Sequence, residues 1–118
     1  MANSILVLIT KPPYGLEEAF AGLRLALAFA VNGMKTTVLF IGDGVYNVVK
    51  DQKSDAIRMP SNIDATKDLF DFDAATFVIR EDIAARGISD NRLFEGPKVI
   101  DASEVKKLIM EHDVVTTF

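Results

Sequence analysis

Apolar positions in this chain follow two rhythms. Short continuous runs rich in β-branched residues alternate with stretches in which apolar residues recur every three or four positions. The first run, Ser4-Ile-Leu-Val-Leu-Ile-Thr10, has no polar interruption, which suits a strand buried on both faces of a parallel sheet. Lys11-Pro12-Pro13 ends it, because proline cannot donate to the ladder, and Tyr14-Gly15 completes a tight loop. The spacing then predicts a helix over Leu16–Asn32. Glu17 and Glu18 suit its positive N-terminal end, and Asn32-Gly33 suits a left-handed stop. Phe20, Leu23, Leu27, Ala30 and Val31 make one apolar face. Leu25 and Phe29 lie on a second face beside Gly22 and Ala28. Past Glu18, Arg24 is the helix's one charge, so both faces are expected to be covered. The second face, through Leu25 and Phe29, is expected to meet another subunit, the alternative being extra burial within the domain. A glycine at position 22 is a poor helix former and implies a close approach by another element.

Further along, Thr36–Ile41 reads as a second strand, followed by Gly42-Asp43-Gly44 and a short helical piece over Val45–Lys50. Residues 51–60 read as loop, and Asn62–Phe70 as a helix capped by Ser61 or Asn62. Ala75–Ile79 is a third strand, and Arg80–Arg86 one or two helical turns stopped by Gly87. Lys98-Val99-Ile100 is a fourth strand. Asp101 or Ser103 caps a helix over Glu104–Glu111, and Val114–Phe118 is a last strand. Strands alternating with helices predict a single α/β domain over residues 1–118, with a mostly parallel sheet of about five strands and helices on both faces.

Composition narrows the chemistry. The chain has 118 residues and no cysteine, which excludes disulfides, thiolate metal ligands and a thiol nucleophile of its own. A net charge of −4 with scattered Lys and Arg predicts no direct nucleic-acid contact; Lys106-Lys107 reads as a solvated helix face. No apolar run is long enough for a membrane span or has a signal peptide's basic leader, which makes the cytoplasm the expected compartment.

Ligands of open α/β sheets bind outside the C-terminal strand ends, which here carry Thr10–Gly15, Gly42–Gly44, Arg80–Asp82 and Asp101–Ser103. Gly42-Asp43-Gly44 is half of a dinucleotide fingerprint, but Asn47 stands where the third glycine belongs, and the motif follows the wrong strand. The first loop has no Gly-Lys-Ser/Thr, and Glu17 and Glu18 would repel a phosphate. Asp71/Asp73 and Glu81/Asp82 read as solvating charge, His112 as a complement to a helix C-terminus, and Ser103 as a cap. The residues therefore describe a scaffold with a candidate pocket, no catalytic group, no metal site and no cofactor.

Three ordered segments carry a resemblance. They are Lys11-Pro-Pro-Tyr-Gly15; Phe40-Ile-Gly-Asp-Gly-Val-Tyr46 with Gln52-Lys53-Ser54-Asp55-Ala56; and Phe77-Val-Ile-Arg-Glu-Asp-Ile-Ala-Ala-Arg86-Gly87-Ile88. With the ending His112-Asp113-Val114-Val115-Thr116-Thr117-Phe118, the set resembles the DsrE/DsrF-like superfamily, and within it the TusC/DsrF branch. The resemblance implies a DsrE-like three-layer fold and a non-catalytic subunit of an intracellular sulfur-relay complex, one that serves tRNA 2-thiouridine formation or sulfur oxidation. In such complexes related small chains assemble, and a partner carries persulfide sulfur on a cysteine at the end of the third strand. The matching position here is Ile79. Thr10, Pro13, Tyr14, Gly15, Asp43, Gly44 and Ile79 are then the candidate wall of a ligand or partner pocket. The partners implied are related small DsrE-like subunits or further copies of this chain. A homo-oligomeric small-ligand-binding protein on the same fold is the alternative, suggested by the glycine-flanked strand ends.

Overall fold

Five runs become strands, and every strand pairs in parallel. They are β1 (Ser4–Ile9), β2 (Lys35–Phe40), β3 (Ala75–Ile79), β4 (Lys98–Ile100) and β5 (Val114–Thr117), in the order β4-β3-β2-β1-β5. The computed structural model describes residues 3–12, 18–49, 62–89, 92–93 and 96–118. The expected loop over 51–60, the Ser61 cap, the Gln52–Ala56 motif and the Pro13–Glu17 stretch lie outside the described residues.

Because β1 and β2 lie mid-sheet, their residues alternate between two cores. Ile5, Val7, Ile9, Val38, Phe40 and Val78 face the larger one, together with helix α1 (Glu18–Val31), a 3-10 helix (Gly42–Val48), Leu69 of helix α2 (Asn62–Phe70) and Ile83 of helix α3 (Arg80–Ala85). Leu6, Leu39, Ile79 and Ile100 face the smaller one, under Val105 and Leu108 of helix α4 (Val105–Glu111). This is the expected three-layer arrangement. Among the described residues one short helix covers that face, and Leu8, Ile41 and Phe77 are half-buried there.

The boundaries of α2, β3 and β4 coincide with those read from the sequence, and β5 is one residue shorter. The last helix is reached through a 3-10 turn, Ala102–Glu104, that Asp101 begins; the Glu104 carboxylate accepts the Asp101 N–H at 3.0 Å. Asp101, not Ser103, is therefore the capping residue.

Helix α1 departs from the sequence reading in one respect. The face it buries is Ala19, Gly22, Leu23, Ala26 and Ala30, while Val31 is 55% exposed. Phe20 is half-buried, with the Arg24 guanidinium 5.8 Å from its ring centroid. The cause is Gly22. A β-carbon there would lie 2.6 Å from Ile9 Cδ1 and 2.8 Å from the Phe118 ring, so the bare backbone lets the helix roll onto its small residues. Phe29 consequently packs against the larger core, and Leu25 stays half-buried outside both clusters.

Candidate functional site

The C-terminal ends of β1, β2 and β3 form the expected site edge, and the chain's own groups lace it together. At the end of β1, the Thr10 N–H and hydroxyl both donate to the Phe118 carbonyl at 2.7 Å. This ties the first strand to the last. Beside it, the 3-10 helix presses Gly44 against β1, where a β-carbon would meet the Ile9 carbonyl oxygen. The Asn47 side chain, fully buried, donates to the Lys11 carbonyl at 2.9 Å and the Gly44 carbonyl at 2.8 Å. Asn47 therefore ties the loop after β1 to the glycine turn after β2.

Across from this turn, Arg86 gathers two aspartates. Its guanidinium reaches Asp43 Oδ1 at 2.9 Å and Asp82 Oδ1 at 3.7 Å, and it donates to the Asp82 carbonyl at 3.1 Å. Asp82 in turn accepts the Gly42 N–H at 2.8 Å, and Gly42 stands at φ 59, a conformation that glycine adopts without strain. Helix α3 is thus clamped onto the glycine turn after β2. The Arg86 side chain is 23% exposed, so its pairs are better shielded than ordinary surface ion pairs. Arg86→Met is expected to cost about 1–2 kcal/mol by urea unfolding, since it strands two carboxylates and a carbonyl. Asp43→Asn, at a side chain 60% exposed, should cost under about 1 kcal/mol. Equal effects of the two changes would show that the clamp is not centred on Arg86.

The remaining strand ends are similarly engaged. Glu81 accepts the Ala102 N–H at 3.0 Å, and Arg80 pairs with Asp101 at 3.0 Å. Glu81 and Asp82 therefore serve different loops and do not act as a carboxylate pair. Asp73 sits in an exposed turn at φ 60. Among the described residues no group of three His, Cys, Asp or Glu could hold a metal ion, and no helix is long and apolar enough to cross a membrane.

Of the candidate wall residues, Thr10, Asp43 and Gly44 come together at this edge, each committed to an internal contact. Pro13, Tyr14 and Gly15 lie outside the described residues. Ile79 closes β3, but its side chain is 1% exposed and buried with Leu6, Leu39 and Ile100. It forms part of the second core and does not line an open wall, because alternation along β3 sends it to the face opposite Val78. The sequence reading missed Asn47 and Arg86. In the sequence Asn47 shows only as the residue standing where a third glycine would belong. The Asp82–Arg86 spacing of four on a predicted helix was the signal for the clamp.

A model of the DsrE/DsrF-like family matches residues 3–118. The chain is 30% identical over 112 residues to an uncharacterized protein of Methanocaldococcus jannaschii, covering 95% of this chain and 96% of that one. It is 28% identical to the intracellular sulfur oxidation protein DsrF of Allochromatium vinosum, covering 100% of this chain and 98% of the relative. To the protein TusC of Buchnera aphidicola it is 28% identical, with 98% and 99% covered. In structure it is similar to the ychN protein from E. coli, with a TM-score of 0.83 at 23% identity over 100% of both chains, a likeness of fold.

Proposed function

The chain belongs to the DsrE/DsrF-like family, and from that premise we propose that it is a non-catalytic subunit of an intracellular sulfur-relay complex. The observation that carries this reading is the full-length similarity to DsrF and TusC in a chain without cysteine. Sulfur carried as a persulfide needs a thiolate, because the nucleophile that accepts and passes on the sulfur is sulfur itself. This chain has no thiol to offer, and the position where the resemblance puts the carrier's cysteine holds a buried isoleucine, Ile79. Its role in a relay is then to hold a thiol-bearing chain in place.

The laced strand ends support the same reading. At this edge Asp43, Asp82 and Glu81 each hold an internal partner. A catalytic acid or base instead needs a free lone pair or proton aimed at substrate. The edge is built as a firm surface.

Co-expression with related small chains encoded nearby, followed by native mass spectrometry, tests the proposal. The expected result is a mixed assembly containing this chain and a cysteine-bearing relative. An assembly of this chain alone, indifferent to every such relative, would overturn the relay reading. Loading the relative with persulfide should leave this chain's mass unchanged.

A further inference from the structure

Asn32-Gly33, just past the end of α1, is the one place in the chain where glycine follows asparagine. Such a pair carries a chemistry of its own. Once the glycine's backbone nitrogen gives its proton to base, it attacks the side-chain carbon Cγ of the asparagine. A bond forms between the two, the Cγ–Nδ2 bond breaks, and ammonia leaves. Water then opens the cyclic imide at either carbonyl, giving aspartate or isoaspartate. The sum is asparagine plus water to acid plus ammonia, with no oxidant or reductant. Glycine favours the attack because no side chain shields its nitrogen and its backbone turns freely.

In the folded chain both reacting groups are held. Gly33 stands at φ 86, and its N–H donates to the Ala30 carbonyl at 3.1 Å. Met34 donates to the Phe29 carbonyl at 3.1 Å. Together these make a Schellman cap, in which a left-handed glycine closes the helix with two backward bonds. Phe29 and Met34 both pack against the larger core, which anchors the cap. The Asn32 side chain is also engaged: Nδ2 donates to the Ala28 carbonyl at 2.7 Å, one turn back along α1. The nitrogen that must lose its proton is thus a donor in one bond, and the amide it must reach is tied up in another.

Nothing else guards the pair. Asn32 and Gly33 are exposed, and a β-carbon on Gly33 would meet nothing within 4 Å. The last turn of α1 has no basic residue to answer the negative end of the helix dipole; Val31 stands there, 55% exposed. Local opening has its lowest free energy at such fraying ends.

We infer that Asn32 is a deamidation site, held shut by this cap and opened by fraying of the last turn of α1. The modification weakens the turn that guards it. A carboxylate at position 32 has no hydrogen to give the Ala28 carbonyl, and it adds negative charge at the negative end of the helix. Isoaspartate goes further and inserts an extra backbone carbon into the short connection between α1 and β2. Each event leaves the turn looser, and none reverses. Because β2 starts at Lys35, the site lies at the end of the sheet opposite the laced edge, and it is independent of the relay reading.

Peptide mapping by mass spectrometry tests this, on the chain kept in mildly alkaline buffer with and without guanidinium chloride. In the unfolded chain Asn32 is expected to be the first asparagine converted. In the folded chain its conversion should be about tenfold to a hundredfold slower, because the bonds on the Gly33 N–H and on Asn32 Nδ2 must both open first. Val31→Lys brings a cation to the last turn and should slow conversion a further two- to fivefold or about that, in the folded chain alone. Asn32→Asp should unfold at a lower urea concentration than the parent. Equal rates with and without denaturant would overturn the inference. So would Val31→Lys slowing both conditions alike, or an Asn32→Asp protein as stable as the parent.

Discussion

Gly44→Ala is expected to remove at least about 4 kcal/mol of stability, enough to leave little folded protein in a domain whose total stability is on the order of 5–15 kcal/mol. A β-carbon at position 44 would sit 1.8 Å from the Ile9 carbonyl oxygen and 2.7 Å from its carbonyl carbon. Those atoms cannot swing aside. The Ile9 oxygen already accepts the Ile41 N–H at 3.1 Å, and β1 lies between β2 and β5, paired to both. Relief would require the 3-10 helix to lift away, taking Val45 and Val48 out of the larger core and breaking the Asn47 bond to the Lys11 carbonyl. Gly22→Ala is the informative contrast. Its β-carbon would meet side-chain atoms and not backbone: Ile9 Cδ1, at the end of its chain, and Cγ and Cδ2 of the Phe118 ring, which give way more readily than a strand carbonyl. Alanine also gains about 1 kcal/mol of helix propensity, so the net cost should be about 1–2 kcal/mol. Urea unfolding of both variants checks the pair, and a Gly44→Ala protein as stable as Gly22→Ala would show that the turn is not pinned to β1.

The same two glycines show what could be read from the chain and what could not. Gly22 stood out because a mid-helix glycine is a local anomaly, and the close approach it implied is there. Its partners, Ile9 and Phe118, are far away in sequence, so the roll of α1 onto its small residues had no local signature. Gly44 read as a turn residue, but its real constraint is a strand more than thirty residues earlier. Strands β3 and β4 were legible because their apolar runs end at strong punctuation: the Asp71–Asp73 turn and Gly96-Pro97. Thr10, Asp43 and Gly44 could be assigned to one edge because parallel topology alone dictates it. The direction of Ile79 needed the register, and the commitment of Asp43 needed Arg86, a residue 43 positions away.

His112→Leu is the second large effect, expected at about 3 kcal/mol. The ring is 9% exposed and bonded at both nitrogens, Nδ1 at 2.7 Å from the Leu108 carbonyl and Nε2 at 2.8 Å from Thr37 Oγ1. A carbonyl only accepts, so Nδ1 donates, and in the neutral ring Nε2 accepts from the Thr37 hydroxyl. The sequence reads His112 as a complement to a helix C-terminus. The structure makes it a rivet: it satisfies the last turn of α4 and joins it to β2, and it immediately precedes β5. Leucine fills most of the volume but leaves the buried Thr37 hydroxyl and the half-buried Leu108 carbonyl each one bond short, and the stranded hydroxyl alone costs about 1–3 kcal/mol. Thr37→Val removes one of those stranded groups. The double variant should therefore be more stable than the two single losses predict, by about 1–2 kcal/mol in a double-mutant cycle. Strict additivity would mean that the two groups do not share a bond.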